Sequence, residues 1–174
     1  FGCKINSIHK EENPIKAIFN AKLILVGGGN TFNLVKLLHE NGLMLAIRER
    51  VLDGLPFIGW SAGSNITCPS MKTTNDMPIV EPPSFSCLNI IPFQINPHYL
   101  DANPEGHGGE TREQRLLEFL EANKSMKVVG LRESSLLKIE NGKLTLEGNR
   151  PMRLFQHNTL AEEFNPGSDL SFLL

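Results

Sequence analysis

The stretch Leu55-Pro56-Phe57-Ile58-Gly59-Trp60-Ser61-Ala62-Gly63 carries the clearest structural signal in this chain of 174 residues. Its first residues form an apolar run typical of a buried strand, and residues 62–66 can begin a helix. Ser61 stands between them with a glycine two residues away on each side, the G-x-S-x-G pattern of a nucleophile elbow. Glycine permits the tight, strained turn that lifts the hydroxyl out of the sheet. The pattern predicts Ser61 as a nucleophile, and an ordinary strand-to-helix turn containing a serine is the alternative.

Strand-like and helix-like segments alternate around this stretch. The apolar run 21–26 ends at Gly27-Gly28-Gly29-Asn30, and residues 32–38 and 46–52 show helical spacing. Such alternation predicts an α/β fold, a mostly parallel sheet flanked by helices in a flavodoxin-like three-layer arrangement. Ligands bind at the carboxyl ends of the strands in such sheets. Both the triple glycine and Ser61 lie at such ends.

The second half of the chain is less regular. Residues 68–95 are rich in proline and predict a long loop with short strands that covers a site. The further predicted elements are a strand at 94–98, a helix at 110–122, a strand at 127–131, a hairpin of strands 136–139 and 143–146 with an Asn141-Gly142 turn, and an edge strand at 152–155.

Composition narrows the class of protein. A chain of this length with 40% hydrophobic residues can bury one core, so we expect a single domain over residues 1–174. The net charge of −2 and the lack of a basic run argue against nucleic acid or membrane as partners. Cys3, Cys68 and Cys87 are scattered without a CxxC pair, which predicts neither a disulfide framework nor a zinc site. A cytoplasmic protein is therefore expected.

A serine nucleophile needs a base within hydrogen-bond reach. The candidates are His9, His39, His98, His107 and His157. His98 is favoured because it follows a predicted strand, and Asn96-Pro97 restricts the backbone just before it. That position puts it on the same rim of the sheet as Ser61.

The base in turn needs a carboxylate, and the oxyanion needs two N–H donors. Glu133 follows the strand at 127–131, and Asp76 in the long loop is its rival. Ala62 supplies one backbone N–H, and the turn Gly27-Gly28-Gly29 can supply the other. A phosphate-binding role for these glycines is not favoured, because neither G-x-G-x-x-G nor a GK[ST] ending is present.

Six blocks in order resemble the peptidase E family, the α-aspartyl dipeptidases, which are serine peptidases with a class I glutamine-amidotransferase-like fold. The blocks are residues 26–32, 58–63, 73–80, 94–98, 104–107 and 109–115. Members of that family carry further strand–helix units at the N-terminus. Because Phe1 is not a methionine and residues 1–20 carry no strand pattern, we expect that such units are missing here.

The resemblance implies hydrolysis of dipeptides with an N-terminal aspartate and a free amino group, without metal or other cofactor. It implies these roles: Ser61 as nucleophile, His98 as general base and acid, Glu133 as triad acid, Asp76 as an active-site residue of open role, Gly28, Gly29 and Ala62 as the oxyanion hole, and Arg112 as the partner of the aspartate side chain. A bidentate arginine suits a buried carboxylate. The alternative is that Arg112 pairs with Glu110 or Glu113 on the helix surface.

Other functions stay open at this stage. A cyanophycinase-like peptidase acting on β-aspartyl-arginine polymer would use the same scaffold, and an inactive or truncated family member is a further alternative. A glutamine amidotransferase is disfavoured, since that class has cysteine where Ser61 stands. The expected partner is a small dipeptide substrate, and the expected assembly is a monomer or a weak homodimer.

Overall fold

The computed structural model describes residues 5–103, 105–106 and 108–174 of the chain. Its helices are α1 (Pro14–Asn20), α2 (Thr31–Glu40), α3 (Leu43–Leu52), α4 (Ala62–Asn65) and α5 (Arg112–Ala122), with 3-10 turns at Ile8–Lys10 and Ser171–Leu173. Its strands are β1 (Ile24–Val26), β2 (Phe57–Gly59), β3 (Gln94–Pro97), β4 (Lys127–Leu131), β5 (Ser135–Glu140), β6 (Lys143–Gly148), β7 (Met152–Gln156) and β8 (Glu162–Phe164). The predicted α/β class is confirmed.

The first half is a parallel strand pair covered by helices on one face. β1 and β2 pair in parallel, with Leu25 opposite Ile58. A buried cluster that includes Val35, Leu38 and Ile47 packs α2 and α3 together with these strands. The other face is open, since Leu25 is 40% and Ile58 53% exposed. The strand predicted as buried at residues 55–58 is therefore exposed on one face.

The second half is a mixed sheet in the order β3-β4-β7-β8. β3 and β4 are parallel, whereas β7 and β8 add in antiparallel fashion. Ile95, Val129 and Leu154 form part of the core on one side, and α5 packs Leu116 and Leu120 into a cluster on the other. The strand predicted at 152–155 as an edge is interior, because β8 pairs with its free side.

Two local features have clear sequence causes. The β5–β6 hairpin turns at Asn141 and Gly142, whose φ angles of 52° and 73° suit the Asn-Gly pair. This confirms the predicted hairpin. Helix α1 was not predicted, although the Asn13 side chain accepts from Lys16 N and Pro14 opens the helix. Among the described residues, no helix combines the length and the apolar character needed to cross a bilayer.

Candidate active site

Ser61 occupies a strained turn between β2 and α4. Its φ of 55° and ψ of −117° are rarely adopted by a residue with a side chain. A Cβ on Gly59 would lie 2.3 Å from the carbonyl oxygen of Gly63, and one on Gly63 would lie 2.0 Å from that of Val26. Both positions therefore require glycine, because the Cβ of any other residue would collide with a backbone carbonyl. The strand, the sharp turn and the helix of an elbow are all present.

We expect Gly63→Ala to unfold at a markedly lower denaturant concentration than the native chain. The added methyl would collide with a backbone carbonyl of β1, which cannot rotate away as a side chain can, so the cost reaches or exceeds the ~1–3 kcal/mol of ordinary overpacking. Denaturant titration followed by circular dichroism measures the effect. Gly108→Ala is the matched control, since its Cβ would meet nothing within 4 Å. Equal midpoints for the two variants would contradict the packing described.

The glycine turn that follows β1 lies against the side chain of Ser61. A Cβ on Gly28 would lie 3.1 Å from Ser61 Cβ and 3.4 Å from Ser61 Oγ, so the glycine turn lies directly against the serine. In the part of the chain that the structure describes, the N–H groups of Gly28, Gly29 and Ala62 donate to no acceptor. Unpaired N–H groups beside a serine hydroxyl are what an oxyanion hole requires.

His98 and Glu133 meet at the carboxyl ends of neighbouring parallel strands. Pro97 at the end of β3 is in register with Leu131 at the end of β4, so the residues that follow emerge at one edge. His98 Nδ1 contacts Glu133 Oε1, and the two side chains are 51% and 70% exposed. A carboxylate at Nδ1 fixes the tautomer and leaves Nε2 free for proton exchange.

Asp76, the rival acid, is engaged elsewhere. Its Oδ2 accepts hydrogen bonds from Thr31 N at 2.7 Å, Thr31 Oγ1 at 2.6 Å and Thr74 Oγ1 at 3.1 Å. Asn30 Nδ2 donates to the carbonyl of Met77 at 2.8 Å, which adds a second link between the same segments. Asp76 therefore anchors the start of α2, directly after the glycine turn that faces Ser61.

The serine and the histidine belong to separate strand pairs. In the described residues no hydrogen bond joins Ser61 Oγ to His98. Their supporting elements do touch, since Asn65 Nδ2 on α4 donates to the Ile95 carbonyl on β3 at 2.8 Å. In many enzymes the nucleophile–base hydrogen bond tightens only in the substrate complex. The structure thus brings His98 and Glu133 together and holds Ser61 on an adjoining element.

Sequence reasoning missed Arg132, which links the segments that follow β3 and β4. Its guanidinium donates to Asp101 and Glu163 with two hydrogen bonds each, and to the Pro151 carbonyl at 2.7 Å. All five of its donors are thus used. Asp101 lies three residues after His98, and Arg132 immediately precedes Glu133. The pair with Arg132 also lowers the pKa of the Asp101 carboxyl. Nothing in the local sequence could have assigned these partners.

Arg112, at the start of α5, has a neutral partner. Its Nη1 donates to Asn75 Oδ1 at 2.6 Å. The two carboxylates considered for it pair with other arginines, Glu110 with Arg115 and Glu113 with Arg153. Burial, followed by the neighbouring Arg115, lowers the pKa of the Arg112 guanidinium. The alternative of a surface ion pair on α5 is therefore not adopted.

A small cavity lies beside this arginine. It has a volume of about 50 Å³, and Lys72, Arg112 and Arg115 line it together with Asn75 and Asn96. Three of its lining side chains are cationic and none is a carboxylate. The cavity therefore favours an anionic group.

The amino-acid sequence of this chain is similar to those of a known peptidase family. The family model described as peptidase family S51 matches residues 1–147. The chain belongs to peptidase family S51. Peptidase E of Nostoc sp. is 51% identical over 99% of this chain and 72% of its own length. Peptidase E of Streptomyces coelicolor is 50% identical over 99% of this chain and 71% of its own. The predicted family resemblance is confirmed, and so is the prediction of a peptide hydrolase.

Two solved structures share the fold of this S51 chain. A peptidase from an acI-B1 Actinobacterium superposes with a TM-score of 0.65 at 18% identity, covering 91% of this chain and 62% of its own. A putative peptidase E from Listeria monocytogenes EGD-e gives a TM-score of 0.50 at 21% identity, covering 87% and 64%. This chain spans a little under two thirds of both structures, and the likeness supports the fold alone.

The other cysteines and histidines that the structure describes have surroundings or partners of their own. Burial raises the pKa of the Cys68 and Cys87 thiols to about 12, so neither forms a thiolate near neutral pH. His9, His39 and His157 contact Ser7, the Ser86 carbonyl and Glu121, respectively. Cys3 and His107 lie outside the described residues. Within those residues, no group of three or more His, Cys, Asp or Glu side chains is arranged to hold a metal ion.

Proposed function

We propose that this S51 peptidase is a serine dipeptidase that hydrolyses Asp-Xaa dipeptides through an acyl-enzyme. The observation that carries the proposal is the strained Ser61 elbow packed against the glycine turn, whose N–H groups at Gly28 and Gly29, like that of Ala62, have no acceptor among the described residues. Relatives about half identical to this chain are named peptidase E, which supports the same activity. The resemblance noted in the sequence supplies the preference for an N-terminal aspartate.

In the proposed reaction, Ser61 Oγ attacks the carbonyl carbon of the aspartyl residue. His98 Nε2 takes the hydroxyl proton, and Glu133 at Nδ1 stabilises the imidazolium that forms. The N–H groups of Ala62 and the glycine turn hold the oxyanion. His98 then protonates the leaving amine, and it later activates the water that releases aspartate from Ser61.

Arg112 would bind the side-chain carboxylate of the substrate. It is partly buried, it has no carboxylate partner of its own among the described residues, and it lines a cavity with two further cations. A charge-assisted pair of this kind favours aspartate over its neutral isostere asparagine. Selectivity is sharp where buried polar groups would otherwise stay unpaired.

The proposal is tested by kcat/KM for Asp-Leu and Asn-Leu in the native chain and in Arg112→Gln. Truncating one partner of a buried charge pair costs about 2–5 kcal/mol, so we expect the variant to lose about 100-fold on Asp-Leu. Asn-Leu should be a poor substrate and should change little. Arg150→Gln is the control, since this exposed arginine does not line the cavity. Equal losses in both variants would contradict the assignment, and cleavage of β-aspartyl-arginine polymer in place of Asp-Leu would support a cyanophycinase-like enzyme.

We further propose a cytoplasmic enzyme that acts on free dipeptides as a monomer or weak homodimer. The free thiols of Cys68 and Cys87 suit a reducing compartment. The net charge of −2 and the lack of a basic run disfavour polyanionic partners.

A further inference from the structure

We propose that Asn75 is a specificity-determining residue: its neutral amide holds Arg112 in place without neutralising it, which keeps the guanidinium charge for the substrate carboxylate. The inference rests on the proposed function and deepens it. Asn75 belongs to the long loop between α4 and β3, and sequence reasoning assigned it no role.

The amide of Asn75 has a single orientation that satisfies its neighbours. Its Nδ2 donates to the Pro97 carbonyl at 2.6 Å, and its Oδ1 accepts from Arg112 Nη1 at 2.6 Å and from Asn96 Nδ2 at 2.7 Å. Asn96 Nδ2 also donates to the Thr73 carbonyl at 2.9 Å, which fixes the second amide as well. Because a carbonyl can only accept and a guanidinium can only donate, a flipped Asn75 would face mismatches on both sides.

No carboxylate of the described residues forms an ion pair with Arg112, and the charge of Asp76 acts on it only from a distance, where it raises the pKa of Arg112 against the larger effect of burial. Glu110 and Glu113 pair with Arg115 and Arg153, and Asp76 accepts from Thr31 and Thr74. Arg112 is thus oriented by an uncharged acceptor, and its charge is left uncompensated by any direct ion pair in the described residues. A carboxylate at position 75 would form an ion pair with the Arg112 guanidinium and would compete with the substrate carboxylate for it.

Asn75 also links this anion site to the base. The carbonyl that it binds belongs to Pro97, directly before His98, whose φ of 54° is itself strained. One side chain therefore touches both the arginine proposed to bind the substrate and the backbone that carries the histidine. This link fixes the separation between the anion site and the base.

Asn75→Asp tests the inference, because the side chain keeps its shape and gains a charge. It also loses the donor to the Pro97 carbonyl, a loss that acts on both substrates alike, so the ratio of kcat/KM between the two substrates reports the effect of the charge. We expect KM for Asp-Leu to rise at least about tenfold, since the built-in carboxylate takes the guanidinium hydrogen bonds, while kcat/KM for Asn-Leu changes far less. The ratio of kcat/KM for Asp-Leu over Asn-Leu should therefore fall about tenfold or more. If kcat/KM for Asp-Leu and for Asn-Leu fell by the same factor, the inference would be overturned and Asn75 would be a structural residue.

Asn75→Ala serves as the second variant, in case the acidic one does not fold by circular dichroism. It leaves Arg112 charged but no longer oriented, so we expect a higher KM for Asp-Leu with a smaller loss of selectivity than in Asn75→Asp. Equal losses on both substrates would again overturn the inference. Arg112→Gln distinguishes failure of the proposed function from failure of this inference. A native chain without preference for Asp-Leu refutes both the proposed function and this inference, whereas a preference lost in Arg112→Gln but kept in Asn75→Asp refutes only the inference.

Discussion

Ser61→Ala is expected to lower kcat for Asp-Leu by about 10⁴-fold or more and to leave the fold intact. The variant removes the atom that forms the acyl-enzyme, and the remaining backbone donors and His98 cannot replace a nucleophile. The strained backbone at Ser61 does not depend on the hydroxyl, because it is set by the close backbone packing that Gly59 and Gly63 permit. Stopped-time assays of leucine release, with circular dichroism spectra of both proteins, measure the effect.

Ser86→Ala is the control for the Ser61 variant. Ser86 is exposed, and only its backbone, not its hydroxyl, takes part in the hydrogen bonds described. Its activity should match that of the native chain. If Ser61→Ala kept more than a few per cent of the hydrolysis, the covalent route would be wrong.

Glu133→Gln is expected to lower kcat by about 10²- to 10⁴-fold with little change in KM. An uncharged amide at Nδ1 does not stabilise the imidazolium, and its N–H₂ end favours the wrong tautomer of His98. Because Glu133 is largely exposed, solvent also stabilises the imidazolium of His98, and we expect the loss of kcat to lie toward the lower end of this range. Steady-state kinetics on Asp-Leu give both constants.

Asp76→Asn is the matched comparison, because both variants exchange a carboxylate for its amide. The amide oxygen of the new side chain can still accept from Thr31 and Thr74, so we expect a loss in kcat of no more than about tenfold and a lower midpoint of unfolding. If the Asp76 variant lost more activity than the Glu133 variant, Asp76 rather than Glu133 would be the residue that activates His98.

Features set by local chemistry could be predicted from the sequence. The elbow follows from two glycines that exclude any Cβ, and the hairpin turn follows from the Asn141-Gly142 pair. The meeting of His98 and Glu133 also follows, because the carboxyl ends of adjacent parallel strands share an edge. In each of these cases, a short stretch of chain or a rule of sheet topology constrains the outcome.

Features set by distant partners could not be predicted. Arg132 pairs with Asp101 and Glu163, and each of these partners is 31 residues away along the chain. Asn75 and Arg112 are 37 residues apart. The sequence around each arginine does not indicate which of the many carboxylates and amides of the chain will be its partner. Strand β7 was predicted as an edge for a related reason, since only the short and polar β8 converts it into an interior strand.

The most direct test of the account is the rate of leucine release from Asp-Leu beside that from N-acetyl-Asp-Leu, with the same purified and folded chain. The account predicts hydrolysis of the free dipeptide and none of the blocked one. A folded chain that releases leucine from neither substrate, or from both at equal rates, would contradict the assignment of this S51 chain as an aspartyl dipeptidase.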